Sequence, residues 1–301
     1  MTERDPLVSA LHEGRQRFLE LVADLRPDLH RYCTRMTGSV ADGEDIVQDT
    51  LARAYYALSQ MEEMPQMRPW LFQIAHNRAL DHLRRYDRRM GQSLDDVAPT
   101  AASTAEDPED ALAREEATRA AISRFAELVP LQRSCVILKD VLGHSAEEMA
   151  ELLELSEPAV KAALHRGRER LRVLAAEAPR ETTAAPRVPS EGVARYIALF
   201  NARDWDAVRA MLAEDVRLDL VSRAQRAGRG EVSSYFTNYG RAPDWHLVPA
   251  RIDGREVIGV LRNEGDAKPA YFIELTLRDG QVAHIKDFRY VPYIMADATL
   301  I

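Results

Sequence analysis

The spacing of apolar positions changes character along this chain. From residue 10 to residue 90 apolar residues recur at helical intervals with few glycines between them. In RPWLFQIAHNRALDHLRRYDRR (68–89), Trp70, Phe72, Ile74, Ala75, Leu80 and Leu83 include a core face. Asn77, Arg78, Asp81, Arg84, Arg85 and Arg88 recur at spacings of three, four and seven as a polar stripe. Residues 113–177 are helical again, and 191–212 continue in the same period. Then the period drops to two. In IELTLRDGQV, Ile273, Leu275 and Leu277 alternate with Glu274, Thr276 and Arg278, and Asp279-Gly280 follows, which predicts strand, tight turn, strand. The pattern therefore predicts a multidomain chain: two all-α segments followed by an α+β segment, with no internal repeat.

Composition sets the boundaries. At 301 residues and about 150 per domain, two or three domains are expected. Residues 91–112 carry six carboxylates (Asp95, Asp96, Glu106, Asp107, Glu109, Asp110) and no Lys or Arg, a linker by composition. Residues 178–190, APRETTAAPRVPS, hold three prolines and predict a semi-extended second linker. The domains expected are thus 10–90, 113–177 and 191–295. No apolar run reaches the ~18 residues of a membrane span, and the N-terminus has no apolar core of a signal peptide. The two cysteines, Cys33 and Cys135, sit in apolar helical patterns and are expected as buried thiols in a reducing cytoplasm. No metal-ligand spacing, phosphate loop or nucleophile motif occurs, so neither metal nor cofactor is expected.

Charge changes the picture. The chain carries 40 basic and 48 acidic residues, a formal net charge of -8. Yet SEPAVKAALHRGRERLR (156–172) gathers Lys161, Arg166, Arg168, Arg170 and Arg172 on one short stretch. Before it, Ser145 and Glu148 form a capping box, and Ser156 with Pro158 in the first turn starts a second helix. Val160, Ala163, Leu164 and Leu171 face inward, leaving Lys161, His165, Arg166 and Arg168 outside. Two short helices joined by a tight turn read either as a helix-turn-helix, whose second helix fits a major groove with Lys and Arg for phosphates and guanine edges, or as an ordinary helical hairpin with a solvated basic face. The second basic block, 68–89, has six arginines against two aspartates, and Arg and Asn beside an aromatic suit unpaired DNA.

Taken together these motifs resemble the extracytoplasmic-function sigma factors of the sigma-70 family. VADGEDIVQDTLARAY (40–55) resembles the helix that docks on the polymerase clamp. RPWLFQIAHNRALDHLRR resembles the reader of the −10 element. Residues 129–172 resemble the −35-binding domain. The resemblance implies a region 2 helical bundle over 10–90 and a region 4 helix-turn-helix over 113–177. It implies core RNA polymerase (clamp and flap) and promoter DNA as partners, with no membrane. Asp45, Gln48, Asp49 and Arg53 would face the polymerase. Arg68, Trp70, Asn77, Asp81, Arg84, Arg85 and Arg88 would serve the −10 element. Lys161, His165 and Arg166 would approach −35 bases, and Arg168 and Arg172 phosphates. The loop from Ser59 to Met67 would capture a flipped base, its Met61, Met64 and Met67 forming either a soft pocket or core filler. Ala162 and Ala163 stand where the family often has polar residues, which favours shape readout. The acidic linker would mimic nucleic acid in a positive channel of the polymerase.

The last third, from EGVARYIALFNARDWDAVRAML through several strands, resembles a SnoaL-like domain, a cone of curved sheet capped by helices around a pocket. Some members of that fold are isomerases or cyclases with an Asp base; others have no activity. Pocket candidates are Asp219, Trp245, His246, His284 and Asp287, against the alternative, the one favoured, that they are surface or satisfied structural residues. On a regular strand His284 and Asp287 face opposite ways, so they share a pocket only across a bulge or strong twist. Fused to a sigma factor, such a domain is expected to regulate rather than catalyse, with a small molecule as a candidate ligand. Two other readings stay open. One is a stand-alone helix-turn-helix regulator with a ligand-sensing domain; the other is a SnoaL-like isomerase or cyclase fused to DNA-binding helices.

Overall fold

The computed structural model describes residues 6–90, 122–177, 188–240 and 244–298. The acidic linker expected at 91–112, and residues 178–187 of the proline-rich one, lie outside them. The chain divides into two compact units, one ending at Arg180 and the other beginning at Glu181.

The first unit is all helix. Helices α1 (Pro6–Leu21), α2 (Arg26–Thr37), α3 (Val40–Leu58) and α4 (Met67–Met90) form its first half. The second half contains α5 (Ile122–Ala126), α6 (Pro130–Val136), a π-helical turn over Ile137–Val141, α7 (Ala146–Leu153) and α8 (Glu157–Ala176). The helix starts follow the sequence. The Ser39 and Ser156 side chains cap α3 and α8, and Ser145 with Glu148 completes the capping box of α7. Glu154 takes a left-handed φ of 56° and ends α7, making the tight turn into α8. Gly167 lets α8 lie against α6: a Cβ there would meet Val136 Cγ2 at 2.7 Å and the Gln132 carbonyl at 3.0 Å.

The two helical halves share one core. Leu29, Tyr32 and Met36 of α2 and Leu71, Phe72 and Ala75 of α4 belong to the same buried cluster as Phe125, Val136, Met149 and Leu171. Polar groups are buried at the join. The Tyr32 hydroxyl lies 2.8 Å from His76 Nδ1 and 3.1 Å from Ser134 Oγ, and Ser134 lies 3.2 Å from the same ring nitrogen. The Arg133 guanidinium donates to the carbonyls of Met36, Ala126 and Leu128. At the exposed edge of the join Gln73 donates to Glu154 at 2.8 Å, and inside it the His144 ring meets Phe72 edge-on at 5.3 Å. Cys33 and Cys135 are free and buried in this core, and burial pushes the Cys135 thiol up to about 12.

Burial also pushes His76 down to about 4. The ring is neutral in the folded unit at pH 5, where an exposed histidine is charged. The unfolded chain therefore binds the extra proton between about pH 6.5 and 4, and stability falls as pH drops through that window. The expected contribution is about 3 kcal/mol, complete below the folded value. Urea unfolding of wild type and His76→Phe at pH 7 and pH 4.5 checks it. The wild type should lose more stability across that interval, and equal losses would contradict the assignment.

The second unit is α+β. Helices α9 (Glu191–Asn201) and α10 (Trp205–Ala210) precede β1 (Leu212–Leu220) and β2 (Ala224–Ala227). Then come α11 (Arg229–Gly240), β3 (His246–Ile252), β4 (Arg255–Leu261), β5 (Tyr271–Arg278) and β6 (Gln281–Asp287). The six strands form one mixed sheet in the order β2-β1-β6-β5-β4-β3, with β1 and β6 parallel and the other pairs antiparallel. Asp279 and Gly280 both have positive φ and make the β5–β6 turn that the sequence predicts. The helices cover one face of the sheet: Tyr196, Phe200, Val208 and Phe236 pack with Val216, Leu218, Val260 and Ile273. Bulges interrupt the β1–β6 and β5–β6 registers and bend these strands.

Candidate functional site

On α3, apolar residues at Ile46, Val47, Leu51 and Ala54 are buried, which turns Asp45, Gln48, Asp49 and Arg53 towards solvent. Asp45 and Arg53 are exposed, and Gln48 and Asp49 are half-buried. Asp49 accepts from Arg53 Nε at 3.3 Å and also from Arg78 of α4. The acidic row is thereby tied to the next helix.

Along α4, Leu71, Phe72, Ala75 and Ala79 face the core, and Trp70 packs half-buried against it. Asn77, Arg84 and Arg85 are exposed, while Asp81 pairs with Arg78 at 2.8 Å. Arg68 turns back to Asp28 at 3.0 Å and lies over the Phe72 ring. Arg88 lies outside the residues whose side chains are described. Between α3 and the start of α4 the three methionines divide. Met61 and Met64 are 43% and 67% exposed, whereas Met67, the first residue of α4, packs against the core.

On α8 the outward residues differ in what holds them. Lys161 pairs with Glu157 at 3.3 Å, Arg172 with Glu169, and His165 is exposed. Arg166 is half-buried. Arg168 grips the buried Asp140 carboxylate with two bonds, Nε to Oδ2 at 2.9 Å and Nη2 to Oδ1 at 2.6 Å. Arg170, absent from the expected contacts, is exposed and has no ion-pair partner among the described residues. Ala162 and Ala163 are buried, so they offer nothing to a base edge.

In the second unit the five expected pocket residues do not converge. His246 Nε2 accepts from Asn201 Nδ2 at 3.2 Å, and Asn201 also donates to the Leu247 carbonyl. Asp219 lies on β1 between Gln225 of β2 and Lys286 of β6, and His284 lies opposite Thr276. Past the β6 irregularity, Ile285 and Asp287 share the buried face and His284 points to the other, so the bulge does not unite His284 with Asp287. Trp245 lines a cleft of about 440 Å³ with Asp244, Arg262, Asn263, Tyr271 and Arg289.

Asp287 lies behind that cleft, wholly buried. Its Oδ2 accepts from Tyr235 at 2.6 Å and Tyr239 at 3.3 Å, and its Oδ1 accepts from the Arg289 backbone N–H at 2.9 Å. Burial raises its pKa, and these donors work against the rise. The Tyr239 and Tyr271 hydroxyls meet at 2.6 Å, which joins the cluster to the cleft wall. The Tyr196 hydroxyl is buried with no hydrogen-bond partner among the described residues. The two tyrosines of α11 had a signal in the sequence, a spacing of four that puts them on one helix face. Tyr271, Arg262 and Arg289 had none, because only the strand order assembles them.

Three stretches of the chain match known families. Residues 21–89 match sigma-70 region 2, residues 119–171 match sigma-70 region 4, and residues 193–288 match the SnoaL-like domain. The ECF RNA polymerase sigma factor SigW of Bacillus subtilis is 30% identical over 164 residues, 52% of this chain and 87% of SigW. The chain belongs to the ECF sigma factors. SigG of Mycobacterium tuberculosis, also an ECF RNA polymerase sigma factor, is 32% identical over 204 residues, 60% of this chain. The matched stretch spans 55% of SigG. The crystal structure of the M. tuberculosis extracytoplasmic function sigma factor SigJ is similar over 92% of this chain and 98% of its own, at 25% identity and a TM-score of 0.36. In this ECF sigma factor the region 2 match covers α2 to α4, and the region 4 match covers α5 to α7 and most of α8. SnoaL-like domains also occur in some enzymes. Among the described residues no helix is long and apolar enough to cross a membrane, and no cluster of His, Cys, Asp or Glu is arranged to hold a metal ion.

Proposed function

We propose that this chain is a promoter-specificity subunit: it binds core RNA polymerase in the cytoplasm and directs it to promoter DNA, and its C-terminal unit adjusts that activity. The observation that carries the reading is the order of both sigma-70 regions on one helical unit, with an acidic row on α3 and basic residues on α4 and α8. Asp45, Gln48 and Asp49 face the polymerase. Asn77, Arg84 and Arg85, with exposed Met61 and Met64, meet the −10 strand. Lys161, His165, Arg166 and Arg170 meet the −35 duplex, and Arg172 serves phosphates. The chain transfers no bond itself. Asp287 ties α11 to β5 and β6 rather than acting as a base, since it is closed off from the cleft and three donors occupy its oxygens.

Transcription by sigma-free core polymerase on a library of the source genome's DNA tests the reading. Discrete new RNA 5′ ends should appear only when this protein is added, and their yield should change when the chain stops at Glu177. No new ends would reject it. Binding to duplex DNA without polymerase would then favour the stand-alone regulator.

A further inference from the structure

Four strand ends meet at one end of the second sheet. The pairings of His246 with Leu261, Val260 with Tyr271, and Ile273 with Asp287 bring together the start of β3, the end of β4, the start of β5 and the end of β6. Antiparallel alternation thus places Trp245, Arg262, Tyr271 and Arg289, far apart in sequence, around one cleft of about 440 Å³. That volume falls within the roughly 300–1,000 Å³ of small-molecule sites.

The lining is built for one kind of ligand. Two guanidinium groups and one carboxylate, Asp244, line the cleft, so its lining is net positive in a protein that is net negative, with the Asp287 carboxyl group buried behind it and held by tyrosine hydroxyls. Neither Arg262 nor Arg289 pairs with a carboxylate within 4.0 Å among the described residues. Arg289 lies on the Trp245 ring at 4.9 Å and near the Tyr239 ring at 5.9 Å. A guanidinium stacked in this way keeps its N–H edge for a planar two-oxygen acceptor. Trp245 is itself held: Arg203 donates to its carbonyl at 2.6 Å, and its ring meets Tyr271 edge-on at 5.6 Å. A fixed aromatic wall beside two unpaired cations is complementary to a flat, negatively charged molecule.

From this geometry we infer that the cleft binds a small planar organic anion, a carboxylate or enolate on a conjugated ring, with its oxygens on Arg262 and Arg289 and its ring against Trp245. The inference rests on the reading of the C-terminal unit as the regulatory part of a sigma factor, and it supplies the chemical class of the regulator.

The test is isothermal titration of the full chain with benzoate, benzyl alcohol and benzylamine. These probes share a ring and differ in charge. Benzoate should bind at least tenfold more tightly than either of the others. Arg262→Met and Arg289→Met should each weaken benzoate about tenfold, whereas Arg209→Met, whose side chain pairs with Asp206 and does not line the cleft, should leave it unchanged. Thermal melting confirms that each variant is folded. Tighter binding of the alcohol or the amine would overturn the inference, as would benzoate affinity that survives the double arginine change. No binding of any probe would overturn it too. None of these results alters binding to core polymerase, so loss of that binding reports separately on the sigma reading.

Discussion

Arg133→Met should destabilise the helical unit by about 3 kcal/mol or more, because it strips donors from buried carbonyls at about 1–3 kcal/mol each. The guanidinium serves Met36 at the end of α2, Ala126 of α5, and Leu128 in the turn before α6. No shorter side chain reaches all three. Arg133→Lys should fall between wild type and Met, since one ammonium replaces a planar fork. Urea unfolding gives the value. Because the two halves share one core, the loss should appear in a single transition that includes Trp70 fluorescence as well as the α6–α8 helices. A loss under about 1 kcal/mol, or two separate transitions, would mean that the halves fold independently and that the carbonyls reach water.

Arg168→Met should cost about 3–5 kcal/mol, since it leaves the Asp140 carboxylate buried without its cation. The Asp140 side chain is wholly shielded, and both of its oxygens are taken by Arg168. Pairing the change with Asp140→Leu should restore most of the stability, because the residue left behind is apolar. This cycle separates a structural arginine from a phosphate contact. In promoter binding by the holoenzyme, the double variant should keep the wild-type salt dependence. Arg170→Met should lower the slope of log affinity against log salt by about one. The reverse pattern would return Arg168 to the DNA backbone and remove Arg170.

Local chemistry was legible in the sequence, and long-range partnership was not. Ser145 and Glu148, Ser156 and Pro158, and Asp279-Gly280 each fix an element end within four residues, and each forms as its spacing implies. The basic face of α8 was visible for the same reason, since helical periodicity is set over a few turns. Arg168 looked like its neighbours because Asp140 lies 28 residues earlier and beyond a turn. Tyr32 and Ser134 are 102 residues apart, so no pattern announces that region 2 and region 4 share a core. In the second unit the sequence named Trp245 and Asp287 but also named His246 and His284, because a polar residue on a strand reads the same whether it meets a cleft, a neighbour or solvent. Strand order and the β6 irregularity decide which it is.

Gel filtration of the full chain with sigma-free core RNA polymerase, wild type against Asp45→Lys, reads the polymerase contact without promoter DNA. Asp45 is exposed on the acidic row of α3, so charge reversal there spares the core. Wild type should co-elute with polymerase, and the variant, equally stable to heat, should dissociate at least tenfold more readily. Wild type that elutes apart from polymerase at micromolar concentrations would contradict a role as a polymerase subunit.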